Sequence, residues 1–424
     1  MKPILFWIFV LTLSTVSSSK PLFGPKTAVL LGNIDDKHKY SQFFDSFTSK
    51  GYDLNFLRAS NQDATLKKFG EYLYDQAILF VGKSEEINVV DILDFIDSGR
   101  SVIVATSSGP SDSVRELAIG CSIEFDEQGM SVVDHFNFKS GDKEHTSIIT
   151  NNFCDIPSVI GDFERDKKGV LFKGIGMKVQ KNSPLNYRIL NAPSTSYSSF
   201  VDEKITKKPF LIGNEITLVA ALQTRGDARI LFSGSIDMFS NNFFDSKYGN
   251  SLFCQEIASW TFNERGFLRL RDYTHHKANS MVKQDYYRIK DDIEFSVTIE
   301  EYDIVKGWVP YVANDVQIEY VMLSPYIRKT LFNYPKTGKF STRFTLPDKH
   351  GTFKFRLQYH KRGYRFIEKV EEIPLKPFWH NEYERFIPVA YPYYLSAILM
   401  LVGFFLFSII FLYNKDKNNT RKDK

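Results

Sequence analysis

The first half of the chain alternates short apolar runs with amphipathic stretches. The apolar runs predict buried strands, at residues 27–31, 54–57, 77–81, 101–105 and 229–233. The stretches between them predict helices, over residues 40–50, 89–96, 113–119 and near 252–262. Strands that alternate with helices are typical of βαβ units, so we predict an α/β domain with a mostly parallel sheet over residues 20–265.

Two of these helices should each bury one apolar face. Their apolar residues recur at helical spacing, namely Phe43, Phe44 and Phe47 in the first helix and Val90, Leu93 and Ile96 in the second. Gly99 follows the second helix and is expected to end it, because glycine readily adopts the backbone conformation of a helix terminus.

After about residue 266 the pattern changes to strict alternation. Apolar residues occupy every second position in three segments, at residues 293–299, 316–320 and 353–359, and proline and glycine lie between the segments. Such alternation with regular turns is typical of half-buried antiparallel strands. We therefore predict an antiparallel β-sandwich, with the membrane-proximal segment, over residues 266–387.

The N-terminus has the order of a secretory signal peptide. Lys2 precedes an apolar run at residues 4–16, which is too short to span a bilayer comfortably, and small serines follow at residues 17–19. We predict a signal peptide over residues 1–19, cleaved near Ser18. The bulk of the chain should then lie outside the cytosol.

A second apolar run, residues 394–413, carries no formal charge and is long enough to cross a membrane as one helix. Pro392 and Tyr393 at its entry suit a helix start at the headgroup boundary. The tail, residues 414–424, has more basic than acidic residues, which places it in the cytosol. The predicted topology is single-pass type I.

The predicted span and tail carry two possible interaction signals. Ser396 and Gly403 lie seven residues apart and share a helix face, where small residues allow a partner helix to approach closely. Arg421 and Lys422, fourth and third from the end, fit equally a dilysine-type retrieval signal of the endoplasmic reticulum and a plain positive-inside flank.

Composition excludes some classes of function. A net charge of +4 over 424 residues argues against a nucleic-acid-binding surface, and 43% hydrophobic with 25% charged residues is ordinary for globular protein. Cys121, Cys154 and Cys254 lie on the predicted exported side, where at most one internal disulfide can form, with its pairing open. The chain has no CxxC spacing that would predict a zinc site.

Candidate catalytic and nucleotide-binding residues are few. Ser107 and Ser108 follow the predicted strand 101–105, about where a hydrolase places its nucleophile, but flanking glycines are missing and no partner can be assigned. A turn explains this string equally well. Gly174 and Gly176 resemble a fragment of a glycine-rich loop, without a third glycine or a clear preceding strand.

Candidate metal ligands are equally sparse. His275 and His276 are adjacent and cannot face one metal from a regular element, so we predict a solvated loop pair. His380, Glu382 and Glu384 alternate just before the span, where orientation at the headgroups is favoured over cation binding. Asp291 and Asp292 are expected to cap a turn or strand, so no cofactor of its own is predicted.

Several strings resemble the forty-eight-kilodalton, Wbp-type subunit family of the eukaryotic oligosaccharyltransferase complex. They lie in family order from the first strand to the membrane, at residues 28–44 (AVLLGNIDDKHKYSQFF), 232–244 (FSGSIDMFSNNFF), 291–297, 308–310, 346–359 and 380–394 (HNEYERFIPVAYPYY). The membrane-proximal string is the most specific of them. The resemblance covers essentially the whole chain.

The resemblance implies a non-catalytic scaffold subunit in the membrane of the endoplasmic reticulum. The complex transfers an oligosaccharide from dolichyl diphosphate to Asn of Asn-X-Ser/Thr in nascent proteins. Its catalytic carboxylates and divalent metal are expected on a separate multi-pass subunit, with ribophorin-type and small multi-pass subunits as further partners. The first domain is expected to resemble amidotransferase-type folds without their catalytic cysteine.

Two other classes of function remain open from the residues alone. One is a type I cell-surface adhesion or receptor protein, although a tail of residues 414–424 is too short for a signalling domain. The other is a lumenal hydrolase that uses Ser107 or Ser108.

Overall fold

The computed structural model describes residues 26–59, 65–83, 87–161, 163, 168–180, 183–200, 208–245, 247–304, 306–383 and 388–413. The predicted signal peptide, the tail with Arg421 and Lys422, and Glu384 lie outside these residues.

The described helices, in chain order, are α1 (Ser41–Ser49), α2 (Val89–Asp97), α3 (Asp112–Gly120), α4 (Pro157–Ile160), α5 (Asn250–Thr261) and α6 (Tyr391–Tyr413). The strands before residue 265 are β1 (Lys26–Leu31), β2 (Asp53–Arg58), β3 (Lys67–Lys68), β4 (Glu71–Tyr72), β5 (Gln76–Phe80), β6 (Ser101–Ala105), β7 (Ile123–Phe125), β8 (Met130–Val133), β9 (Ile148–Thr150), β10 (Asn152–Phe153), β11 (Val170–Phe172), β12 (Met177–Val179), β13 (Asn186–Asn191), β14 (Tyr197–Phe200), β15 (Thr217–Gln223) and β16 (Arg229–Ser233). The later strands are β17 (Leu268–Lys277), β18 (Tyr287–Arg288), β19 (Asp292–Asp303), β20 (Gly307–Pro310), β21 (Gln317–Val321), β22 (Pro325–Thr330), β23 (Phe332–Tyr334), β24 (Lys339–Thr345), β25 (Gly351–Tyr359) and β26 (Ile367–Lys376).

A ten-stranded mixed sheet forms the centre of the first domain. Strands β16, β6, β5, β1 and β2 are mutually parallel, as the apolar runs predicted. Strands β15, β13, β10, β12 and β7 extend the sheet by antiparallel pairing. The prediction of a mostly parallel sheet was therefore wrong for this half. The connection from β15 to β16 is a short turn, and such a turn can join only antiparallel neighbours.

Helices cover both faces of this sheet. α1 and α5 pack into the core on one face, and α2 and α3 into the core on the other. This two-sided burial explains why the parallel strands are apolar at nearly every position. α1 buries Phe43, Phe44 and Phe47 as predicted.

The predicted apolar face of α2 is confirmed at Ile96 and at half-buried Leu93, and it was wrong at Val90. The helix buries Val89, Ile92, Phe95 and Ile96, whereas Val90 is exposed. The Asn88 side chain accepts a hydrogen bond from the Asp91 backbone N–H and starts the helix, and the large Phe95 side chain then turns inward.

The second domain is a sandwich of two five-stranded sheets around one core. One sheet has the order β17-β19-β24-β23, with β20 beside β19, and the other has the order β18-β26-β25-β21-β22. The predicted alternation is confirmed, because the inward residues of β19, β21 and β25 are buried. One pairing departs from the antiparallel prediction, since short β18 runs parallel to β26.

α6 is long and apolar enough to cross a membrane, and in the described chain it is the one helix that meets this test. It begins three residues before the predicted residue 394. Its side chains are exposed nearly throughout, so the rest of the described chain leaves its surface open to lipid or other helices.

Candidate functional site at the domain joint

The carboxyl ends of the parallel strands form the edge where open α/β sheets usually bind ligands. Ser107 and Ser108 lie there, directly after β6, with Ser107 exposed and Ser108 half-buried. The Ser108 carbonyl accepts a hydrogen bond from the Gly129 N–H at 2.9 Å. Within the described chain, neither serine hydroxyl hydrogen-bonds to a histidine or a carboxylate, so no catalytic triad is assembled around them.

The two glycines near residue 175 lie where a side chain would meet close neighbours. They follow β11, so the expectation that no strand precedes them was wrong. A Cβ at Gly174 would lie 2.0 Å from the Gly234 carbonyl oxygen, and the Ile175 N–H donates to that carbonyl at 2.9 Å. Gly174 is therefore required for contact with the segment after β16, which accounts for it without a phosphate.

The histidine pair is not in a solvated loop, so that prediction was wrong. Both residues lie in β17, and alternation along the strand turns His275 into the sandwich core. The His275 ring stacks on Phe355 with centroids 4.9 Å apart and hydrogen-bonds through Nδ1 to the Tyr287 hydroxyl at 2.7 Å. Burial lowers the pKa of His275, with Glu371 opposing the shift.

The acidic candidates hold the fold together. Asp291 accepts from the Arg288 N–H at 2.8 Å, and Asp292 accepts from the Thr345 hydroxyl at 2.6 Å, which confirms their predicted turn and strand-end roles. Glu382 forms an ion pair with Arg288 and accepts from the Trp379 N–H. In the described residues no group of three or more His, Cys, Asp or Glu side chains is placed to hold a metal ion.

Two of the three cysteines, Cys121 and Cys254, are buried thiols. No disulfide joins Cys121, Cys154 and Cys254, all of which belong to the described chain. Burial raises the pKa of Cys121 to about 12 and that of Cys254 well above its ordinary value. Both buried thiols stay protonated at neutral pH and are poor nucleophiles.

The most elaborate polar arrangement joins the two domains, and sequence reasoning missed it. Arg229, the first residue of β16, is completely buried. Its guanidinium donates to the carbonyls of Trp260 at 2.5 Å, Arg265 at 2.8 Å and Gly266 at 2.9 Å, and more weakly to that of Gly363 at 3.5 Å. Burial lowers the pKa of Arg229 to about 9, so the group remains a cation at neutral pH.

Gly363 lies in the turn between β25 and β26 and enters the first domain. Its carbonyl accepts from the Trp260 indole N–H at 2.8 Å, and the next carbonyl, of Tyr364, accepts from Gln223 at 2.6 Å. Gly363 has a φ of +79°, and a Cβ there would lie 2.2 Å from the Ser158 Oγ. Only glycine fits this position without displacing its neighbours.

Further bonds fix the same contact at its rim. The Arg365 N–H donates to the Gly266 carbonyl at 2.8 Å, and its guanidinium donates to Asp227 at 2.8 Å. We call the contacts of Arg229, Trp260, Gly266, Gly363 and Arg365 the domain joint. Buried, satisfied hydrogen bonds of this kind hold two domains in a single orientation.

A cleft of about 630 Å³ opens beside the domain joint. Its charged lining is mainly basic, with Arg188, Lys361 and Arg362 against Asp155. The Arg188 guanidinium donates hydrogen bonds to the Thr217 hydroxyl and to the Asn214 carbonyl. Lys361 also pairs with Asp315 at 3.7 Å, so the positive charge that the two domains bring to the cleft is partly neutralised.

Ser396 and Gly403 both lie on α6, two helical turns apart. The Ser396 hydroxyl donates to the Tyr393 carbonyl at 2.8 Å, and a Cβ at Gly403 would meet no atom within 4 Å. Their role as a partner face stays a prediction.

The fold and site together define a class: a protein with a mixed α/β domain joined to a β-rich domain and, in the described chain, one helix long and apolar enough to cross a membrane. Comparison with known proteins agrees with this layout. A sequence model of the OST48 N-terminal domain matches residues 18–264, and one of the OST48 middle domain matches residues 275–415.

Relatives match along nearly the full chain. Proteins named dolichyl-diphosphooligosaccharide–protein glycosyltransferase 48 kDa subunit are 38% identical in Arabidopsis thaliana, 39% in Danio rerio and 35% in Drosophila melanogaster. The alignments cover 92%, 93% and 92% of this chain and 93%, 93% and 92% of those proteins, respectively. The chain belongs to the OST48 family.

Proposed function

We propose that this chain is a non-catalytic scaffold subunit of the oligosaccharyltransferase complex. Membership of the 48 kDa subunit family makes it a subunit of that complex, acting in protein N-glycosylation. The domain joint carries the scaffold proposal, because a protein that positions others needs its own two domains held in one orientation. The described carboxyl edge, where Ser107 and Ser108 have no catalytic partner, supports a role without chemistry.

The proposal includes partners and location. The chain resides in the membrane of the endoplasmic reticulum, with α6 as its single span, its bulk in the lumen and its C-terminus in the cytosol. Its partners are the catalytic multi-pass subunit, ribophorin-type subunits and small multi-pass subunits, one of which meets the face of Ser396 and Gly403. The divalent metal of the reaction belongs to the catalytic subunit.

We further propose that the first domain is an amidotransferase-type fold without its nucleophile. The positions after β6 hold Thr106 and Ser107, where that fold would carry a cysteine. Burial of Cys121 and Cys254 leaves neither to replace it.

Depletion and purification test the scaffold proposal. We expect depletion to leave Asn-X-Ser/Thr sites of secretory proteins unmodified, and purification of the tagged chain in mild detergent to recover the catalytic subunit. A chain that purifies alone, with normal glycosylation after depletion, would refute the proposal. Labelling of intact cells separates it from the adhesion alternative, which requires the chain at the cell surface.

A further inference from the structure

The end of the sandwich opposite the domain joint leads to the span. β26 ends there at Lys376, and the register pairs Gly351 with Leu375, so β25 begins at the same end. β21 runs toward this end, with Val321 opposite Lys354, and its hairpin to β22 turns at Leu323. The Met322 side chain accordingly lies next to Gly351.

Leu323 at this hairpin tip is 98% exposed. Its neighbours Met322, Ser324 and Pro325 carry no charge, so the tip is an uncharged apolar point. A single exposed leucine is ordinary, but exposed aromatic side chains and lysines lie at the same end of the sandwich as this one.

Two lysines near the tip lie over tyrosine rings. Lys349 Nζ lies 5.6 Å from the Tyr326 centroid, and Lys376 Nζ lies 3.8 Å from the Tyr286 centroid. Within the described residues, neither lysine forms an ion pair. We call Leu323, Tyr326, Lys349, Lys376 and the 60% exposed Trp379 the end surface. Aromatic rings with lysines beside them are typical of the headgroup zone of a bilayer.

The chain stays folded against this end almost to the span. Phe378 contacts the Tyr383 ring with centroids 5.8 Å apart, and Glu382 is paired with Arg288 of β18. From Tyr383 to the start of α6 at Tyr391 the chain can extend about 28 Å at most. The part of the chain packed at this end therefore lies within about 28 Å of the start of α6.

We propose that the end surface rests on the membrane, with Leu323 inserted among the lipid headgroups and Lys349 and Lys376 bound to their phosphates. The sandwich then stands on the bilayer at two points, α6 and the β21–β22 hairpin, which limits rotation of the domain joint about the span. This inference requires that α6 crosses the membrane, and it is independent of any partner subunit.

Lipid quenching of a fluorophore at residue 323 tests the inference. The full chain, with Cys154→Ser to remove the most accessible thiol, carries Leu323→Cys labelled with an environment-sensitive dye. It is reconstituted into phosphatidylcholine vesicles with and without lipids that bear a nitroxide near the headgroup end. Val312→Cys is the matched control, because Val312 is an exposed apolar residue between β20 and β21, at the joint end of the same sandwich.

We expect blue-shifted emission and nitroxide quenching at residue 323, and neither at residue 312. Lys349→Glu with Lys376→Glu should reduce quenching at residue 323, because the lysine–phosphate contacts are lost. Ile398→Cys, within α6, reports insertion of the span. Quenching at 398 with none at 323 would overturn the inference, and so would a blue shift at 323 that appears only in the assembled complex and without quenching, which would indicate a protein contact.

Discussion

The two ends of the sandwich are built from the same alternating strands, but one end is buried against the first domain and the other is exposed. At the joint end, Gly363 is buried and its carbonyl accepts a tryptophan N–H, while a buried arginine satisfies the surrounding carbonyls. At the other end, Leu323 and Trp379 are exposed, and two lysines lie over tyrosine rings. One end is therefore specified by unique hydrogen bonds, and we expect the other, an exposed amphipathic surface, to tolerate substitution.

Removal of the buried arginine should have the largest effect on stability. Arg229→Met removes the guanidinium that donates to the carbonyls of Trp260, Arg265 and Gly266. The carbonyls of Trp260 and Gly266 keep one backbone donor each, from Asn263 and Arg365, so the lost charge-assisted hydrogen bonds should lower the free energy of unfolding by about 3–5 kcal/mol. Urea denaturation of the full chain in detergent measures it. Arg328→Met is the control, since that exposed guanidinium pairs with Glu319 at the surface and should cost less than about 1 kcal/mol.

A methyl group in the joint turn should have the next largest effect. In Gly363→Ala the new methyl group clashes with the Ser158 Oγ, and the residue must also adopt a positive φ. In Gly307→Ala the residue must adopt a φ of +74°, but its methyl group has no atom within 4 Å. We expect a loss of about 2–4 kcal/mol for the first and about 1 kcal/mol for the second. Equal losses in urea denaturation would mean that the turn does not enter the first domain as described.

The buried histidine should make the sandwich sensitive to mild acid. Its folded-state pKa lies below the ordinary value of 6.5, so between these two values the unfolded chain binds a proton that the folded chain does not. The associated stability is complete above pH 6.5 and is lost as the pH falls toward the folded-state pKa. Burial is the largest cause of the lowered pKa of His275. The positive charges of Lys283 and His276 lower this pKa further, whereas the negative charge of Glu371 raises it.

His275→Phe should therefore flatten the fall in unfolding midpoint between about pH 7 and pH 5, by removing the titrating ring while keeping an aromatic ring against Phe355. His350→Phe, at an exposed histidine of the same domain that does not act on His275, is the control and should keep the wild-type slope. The Glu371 carboxylate, whose pKa is lowered, titrates below this window. An unchanged slope in His275→Phe would place the acid sensitivity elsewhere.

The smallest effect on stability is expected for a substitution in the end surface. Leu323→Ser removes a side chain with few contacts, so the unfolding free energy should change by no more than about 0.5 kcal/mol. A loss as large as that of Gly363→Ala would show that the two ends do not differ as we describe.

The helices and strands were largely predictable because the spacing of apolar residues along the chain follows which faces are buried. The strand at residues 101–105 is buried at every position and apolar after its first residue, because helices cover both faces, and β25 alternates because one face meets the core. Val90 was misplaced because Val89 and Val90 are alike in sequence, and Val89 is the one that shares a helix face with buried Ile92 and Ile96. β15 was missed, although its run TLVAALQ is apolar enough to be recognised.

The domain joint could not be predicted from the sequence. Arg229 opens a predicted strand and looks like a solvated end residue, but its carbonyl partners lie 31 to 134 residues away. In the sequence, Gly363 after Arg362 looks like the glycine of any hairpin turn, so nothing marks it as a contact between domains. Long-range contacts of this kind follow from the packing of two complete domains, which no local pattern records.

One complementation experiment tests the central claim, that the chain acts by holding its domains and partners in place. In cells depleted of the native chain, Ser107→Ala with Ser108→Ala is compared with Gly363→Ala for the occupancy of Asn-X-Ser/Thr sites in a secreted reporter. We expect full occupancy with the serine variant and reduced occupancy, with less catalytic subunit recovered, for the glycine variant. Loss of glycosylation in the serine variant, at normal expression and with the complex intact, would contradict the claim.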